Sequence, residues 1–319
     1  MSVTIATNVV LFGPPSQRET VGVCIIASAI ALLLLYGTRR AAGTTLAAPL
    51  LWGALSASVL GLVELTLYSL EGISPLGQSA LRYLAAAGTF CPLMAVLGAK
   101  RPQDRGWQWI VLSLWVVLAI PAIQSLLTGA GSQLELPGIW KGFLGILIVM
   151  GLLNYLPTRH WMAALPFACG QCLLLAEYLA PGRLSGKPLE GGLQPTTWSY
   201  LLILAAAVIV WLQSLKERSL QIEEVPQAEM LAAQLRRWLK FRDGWGAFWT
   251  ARLMARVNQT AEIQNWPVRL WPSGFKAVDE SQPVEVTEEL AASIKKTLDA
   301  LLWRFERVEE VPRASDVID

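Results

Sequence analysis

Residues 46–70 read LAAPLLWGALSASVLGLVELTLYSL, and their reading decides the fold class. Glu64 is the only charged residue in the run. A helix rises about 1.5 Å per residue, so a stretch of this length covers a hydrocarbon core of about 30 Å with some left over for tilt. Lipid offers nothing to backbone N–H and C=O groups, so a segment that crosses must be helical. Six more stretches have the same character, at Val21–Tyr36, Gln78–Gly98, Trp107–Leu127, Ile139–Leu156, Trp161–Ala180 and Thr197–Ser214. The first of these is short and stops abruptly at Arg39 and Arg40. The expected fold class is an all-α membrane protein, a bundle of about seven transmembrane helices followed by a small helix-rich domain.

Charge divides the chain. Residues 1–215 hold 11 Lys+Arg and 7 Asp+Glu, while residues 216–319 hold 15 and 17. The long first part is poor in charge and the last third has an ordinary soluble composition, which places a boundary near Ser214–Lys216. The expected organisation is an extracytoplasmic segment 1–20, the seven-helix domain 21–215, a cytoplasmic helical domain 216–311 and a disordered tail 312–319. Orientation follows from the short loops. Arg39 and Arg40, then Lys100, Arg101 and Arg105, then Arg159, then Lys216 and Arg218 follow spans one, three, five and seven. The opposite loops carry only Lys141, Arg183 and Lys187. The N-terminus is therefore expected outside and the C-terminal domain in the cytoplasm of a bacterial cell, with the chain multi-pass in the inner membrane. The first span would serve as the targeting signal, because Met1–Gly13 lacks the basic start of a cleavable one.

Pro49, Pro92, Pro121 and Pro166 each remove a helical donor and are candidate kinks. Gly53, Ala57 and Gly61 in span two, and Ala85, Ala86, Ala87 and Gly88 in span three, form small-residue faces suited to close helix packing. The two halves show no internal repeat of the kind built into inverted-repeat transporters.

Ionisable groups in a span are costly and seek a partner or a wet cavity. Glu64 lies roughly 9 Å from the outer end of span two and Arg82 roughly 6 Å into span three, at the helical rise. A short loop joins these spans, so an ion pair between them is geometrically reasonable. Glu64, Arg82, Gln78, Gln124 and Glu177 form the candidate intramembrane polar site, with Tyr68 and Tyr83 near its rim. The plainer reading has Glu64 satisfied by Arg82 for structure alone, with Arg82 and Glu177 reaching the headgroups.

Cys169-Gly170-Gln171-Cys172 is a C-x-x-C run within span six. It resembles quinone-linked thiol oxidases only in placing that motif in a membrane helix. A second cysteine pair in an outer loop is absent, and two buried thiols on a small-residue face are the simpler expectation. One histidine, His160, makes neither a haem nor a zinc site. Span seven has no lysine for a retinal Schiff base, and no run like those of the common eukaryotic receptors ends spans three or seven.

In the C-terminal part, Leu231, Leu235, Trp238 and Leu239 mark one amphipathic helix. Gly244 and Gly246 interrupt the pattern before a second helix with Phe248, Trp249, Leu253 and Val257 inside. Arg236, Arg237, Lys240, Arg242, Arg252 and Arg256 accompany these helices against the single acid Asp243. They are candidates to contact lipid headgroups or a partner, or to meet the acidic stretch 277–319, which has eleven acids against five bases. Residues 266–275 contain two prolines and a glycine and allow one short strand without an obvious second, or an aromatic loop. A helix follows from Glu288 to about Arg307, capped by Thr287, with Leu290, Ile294, Leu298, Leu301 and Phe305 as its stripe.

No phosphate loop, dinucleotide fingerprint or metal set stands out, and no cofactor is expected. The leading expectation is a scaffold or accessory subunit of a membrane complex, without enzymatic activity. Its partners would be the lipid bilayer and other membrane proteins or further copies of the chain, and not nucleic acid. The alternatives are a transporter or outer-face binder of a small polar or lipid molecule using Glu64 and Arg82, and a thiol-redox enzyme using Cys169 and Cys172.

Overall fold

A computed structural model of the chain describes residues 17–129, 131–181, 194–219, 229–279 and 287–306. The elements are α1 (Gln17–Arg40), α2 (Ala47–Ser69), α3 (Pro75–Gly88), α4 (Cys91–Leu97), α5 (Asp104–Thr128), α6 (Gly138–Tyr155), α7 (Trp161–Leu179), α8 (Pro195–Ser219), α9 (Glu229–Ile263), β1 (Val268–Trp271), β2 (Gly274–Ala277) and α10 (Glu288–Leu302). Seven helices are long and apolar enough to cross a membrane, with α3 and α4 together making one span, Pro75–Leu97. The loop holding Arg183 and Lys187, residues 1–16 and the tail lie outside the described residues.

The third span, expected over Gln78–Gly98 with Pro92 as a candidate kink, is interrupted between α3 and α4. Pro92 has no N–H, so the carbonyl of Gly88 loses its helical donor and the helix stops there. Neighbouring side chains replace what is lost. Ser56 of α2 donates to the Gly88 carbonyl at 2.6 Å. Gln171 of α7 donates to the Thr89 carbonyl at 3.3 Å and to its hydroxyl at 3.1 Å. Trp115 of α5 donates to the Leu84 carbonyl at 3.2 Å. This span is the axis of the bundle, with 67% of its apolar window buried against 17% to 39% for the others.

The other prolines behave by position. Pro49 falls in the first turn of α2, where no helical bond is lost, whereas Pro121 and Pro166 lie inside α5 and α7. The first span is longer than expected, since α1 begins at Gln17 and runs 24 residues. It packs between α2 and α8. A Cβ at Gly61 would stand 3.0 Å from that of Ala27, so the small-residue face of α2 sets this close approach.

Beyond the spans, α9 is two helices merged across Gly246, whose φ of 80° and ψ of −176° are non-helical. Asn154, fully buried at the end of α6, explains the break. Its Oδ1 accepts from the backbone N–H of Phe248 at 3.1 Å and so caps the second half of α9. A Cβ at Gly246 would lie 2.3 Å from Asn154 Nδ2.

Residues 268–277 form an antiparallel hairpin with Leu270 opposite Phe275, where a lone strand or a loop was expected. The second strand comes from the same segment, just past Pro272-Ser273. The open edge of β1 is paired by a side chain, because Asn258 of α9 accepts from the Leu270 N–H at 2.7 Å and donates to its carbonyl at 2.9 Å. Thr287 caps α10 through the Leu290 N–H, as expected. The helix ends at Leu302, not near Arg307, and Leu302 takes the buried position that Leu301 was assigned.

The core of this C-terminal unit is aromatic. Phe305 meets the rings of Phe241, Trp245 and Trp249 edge-on at 5.1, 5.8 and 5.0 Å. Val96 and Ala99, at the end of the third span, belong to the same cluster. Substituting Gly246→Ala is expected to destabilise the protein by about 2 kcal/mol, since the new methyl overpacks Asn154 at a positive φ. Gly142→Ala on the open face of α6, with nothing within 4 Å, serves as the neutral comparison in thermal unfolding of the detergent-solubilised protein.

Candidate functional site

Glu64 and Arg82 meet as the loop between α2 and α3 predicts. Arg82 Nε lies 3.0 Å from Glu64 Oε1 and Nη2 lies 3.1 Å from Oε2, a bidentate pair. Both side chains are largely buried, at 15% and 11% exposure. Arg82 is seven residues into α3, roughly 10 Å along the axis, so the two charges stand at similar depth. The pair uses both carboxylate oxygens and half of the guanidinium fork.

Around it lies a small cavity of about 30 Å³, where Glu177 and Tyr178 of α7 and Thr196 and Tyr200 of α8 join a mainly apolar wall that includes Leu60, Val63 and Leu174. That is space for a water or two and not for a substrate. The remaining candidates are elsewhere. Gln78 donates back to the Ile73 carbonyl at 3.0 Å and closes the start of α3. Gln124 is exposed on α5. Tyr83 is not at a rim: it is fully buried, donates to the Leu118 carbonyl at 2.9 Å and meets Tyr178 edge-on. Tyr68 is exposed.

A second, larger cavity of about 230 Å³ runs between α1, α2, the α3–α4 break, α6, α7 and α8. Its walls include Ile30, Leu34, Ala57, Leu93, Phe167 and Ile203, with Ser56, Thr89 and Gln171 as the polar atoms of the helix break. Ser56 is engaged by the Trp52 and Gly88 carbonyls and Gln171 by Thr89, so the wall presents mainly hydrocarbon. Leu60 and Tyr200 line both cavities, so the apolar space adjoins the one holding the ion pair. Tyr200 donates to the Leu60 carbonyl at 3.2 Å and stands at the junction. Sequence reasoning missed Tyr178 and Tyr200, while Pro92, four residues after Gly88, marked the break as a candidate kink.

The two thiols are exposed, not buried: Cys169 and Cys172 face outward on α7. The described residues contain no group of three or more His, Cys, Asp or Glu arranged to hold a metal. His160 bonds Gln213 through Nδ1 at 2.6 Å between the starts of α7 and the end of α8.

The basic residues of α9 divide. Arg237 pairs with Glu306, Nη2 to Oε2 at 2.6 Å, and with Asp299. Arg242 pairs with the buried Asp243 at 2.8 Å and donates to the Pro272 carbonyl at 3.0 Å. Asp243 also binds Arg159 of the α6–α7 loop at 3.5 Å. Arg236, Lys240, Arg252 and Arg256 are exposed.

No family model, curated protein or solved structure matches the chain.

Removing one partner of a buried pair strands the other charge, at a cost of about 3–5 kcal/mol. Glu64→Leu and Arg82→Met are each expected to lose about that much in thermal unfolding, and the double variant to recover most of it. Double-variant stability equal to the sum of the two losses would show that the pair holds nothing together.

Proposed function

We propose that this chain is a multi-pass protein of a bacterial plasma membrane that holds the apolar chain of an amphiphile inside its bundle. The observation that carries the reading is the 230 Å³ hydrocarbon-walled cavity adjoining the buried Glu64–Arg82 pair. Packed interiors leave few voids larger than a water. The cavity opens between the helices, and an apolar chain entering it supplies the contacts that its hydrocarbon walls otherwise lack. The small cavity with Glu64, Arg82 and Glu177 then faces the headgroup end, through a carbonyl, hydroxyl or amine that a water-sized space accommodates.

Native mass spectrometry of protein released from mild detergent is expected to show one retained chain-bearing molecule. Ala164→Leu, which fills the cavity wall, should remove it without lowering the unfolding temperature. Wild-type protein that flies bare under conditions that preserve other lipid adducts would overturn the reading.

The orientation supported by the Lys and Arg asymmetry has the N-terminus outside and residues 216–311 in the cytoplasm. A C-terminal fusion to green fluorescent protein should fluoresce and one to alkaline phosphatase should be inactive; the reverse pattern would invert the topology.

A scaffold or accessory-subunit role is the second reading. It is supported by α5, which packs on α3 and α4 and leaves Gln124 exposed on its open face, where an amide in a span seeks a neighbouring helix. The same spectra test it, through a second protein chain in the released particle.

A further inference from the structure

The end of the third span gathers cations that no sequence stretch holds together. Lys100 follows α4 by three residues. The Arg101 N–H donates to the Arg304 carbonyl at 2.9 Å, which sets Arg304 beside it. Trp249 Nε1 donates to the Val96 carbonyl at 2.8 Å, which seats the second half of α9 on the same span end. Arg252 and Arg256 follow Trp249 within two turns and share a helix face, four residues apart. Arg252, Arg256 and Arg304 are exposed and Lys100 is half-buried.

Other basic residues nearby are engaged. Arg101 donates to the carbonyls of Gly43, Trp303 and Glu306, and Arg237 and Arg242 sit in ion pairs. The four clustered cations make no ion pair among the described residues. Arg252 lies over Trp249 and Arg304 over Trp303, each 5.4 Å from the ring centre, and Arg256 reaches Gln259 at 3.5 Å. Burial, and then the charges of Arg304, Arg252 and Arg256, hold the Lys100 ammonium below its usual pKa. Among the described residues, the fold thus keeps these like charges together with no carboxylate paired to them. Their level is the span end, beside the half-exposed Trp303, where tryptophan marks a membrane interface.

We propose that Lys100, Arg252, Arg256 and Arg304 form a binding site for the phosphate headgroup of an anionic phospholipid, tying the C-terminal unit to the membrane surface. The complementary charge lies in the leaflet that the same span end enters, so a membrane lipid is the occupant. The site rests on the seven helices crossing a bilayer, and not on what fills the apolar cavity.

The test uses the full chain in nanodiscs of equal phosphatidylcholine and phosphatidylglycerol, with retained lipids counted by native mass spectrometry. Wild type is expected to keep phosphatidylglycerol about tenfold over phosphatidylcholine at low salt, and to lose that preference as salt rises. Changing all four residues to Gln should abolish the preference. Lys276→Gln, Lys295→Gln and Lys296→Gln together, which remove exposed charge elsewhere on the same unit, should leave it intact. If the fourfold variant does not fold, Arg252→Gln and Arg256→Gln, both exposed, should each reduce the preference singly. An unchanged preference in the cluster variants, an equal loss in the control, or displacement of the lipid by millimolar glycerol 3-phosphate would each overturn the proposal.

Discussion

A hydrocarbon solvent satisfies no hydrogen bond, and that constraint organises the molecule. Every polar atom brought into the spans must find its partner within the chain or in a wet cavity. Glu64 and Arg82 answer it with a bidentate pair that fixes α2 against α3. The carbonyls freed at the break in the third span answer it with Ser56 and Gln171, and Trp115 holds the carbonyl of Leu84 one turn before it. The helix interruption therefore lies at the centre of the bundle, where donors from several neighbours reach it, and not on a lipid-facing edge.

The same logic continues where the spans end. Thr45 donates its hydroxyl to the Ala99 carbonyl, receives Trp245 Nε1 at 3.0 Å, and donates its backbone N–H to the Phe305 carbonyl. Phe305 in turn is the ring on which Phe241, Trp245 and Trp249 converge. The C-terminal unit therefore shares its core with the span ends instead of hanging from α8 as a separate bead. The composition boundary near Ser214–Lys216 marks a change in charge content along the chain. It does not mark an end to the packing.

Hydropathy made the seven spans legible, because a run such as Leu46–Leu70 has no soluble counterpart. Loop length and depth made the Glu64–Arg82 pair legible too. What could not be read depends on contacts between distant segments. Asn154 looks like one more polar residue near a span end until Gly246, 92 positions on, arrives against it. The hairpin partner of β1 lies only two residues on, but Pro272 and Gly274 read as breakers, while the pairing on the other edge of β1 comes from Asn258, a helix residue. The cation cluster draws on three separate stretches, so no local count of Lys and Arg reveals it. The thiols were misplaced because mean hydropathy says that a helix is in lipid and not which face turns inward.

The contact between Asn154 and Gly246 is one of the joins between the spans and the C-terminal unit, and the tightest at the end of α6. The 18 residues of α6 form a rod about 27 Å long. Pivoting that rod by about 5° at its far end would sweep its tip, and Asn154 with it, through about 2 Å. The bond to the Phe248 N–H does not stretch that far, so the second half of α9 must follow or lose its cap. Whatever changes the tilt of α6 is thereby geared to the posture of the second half of α9.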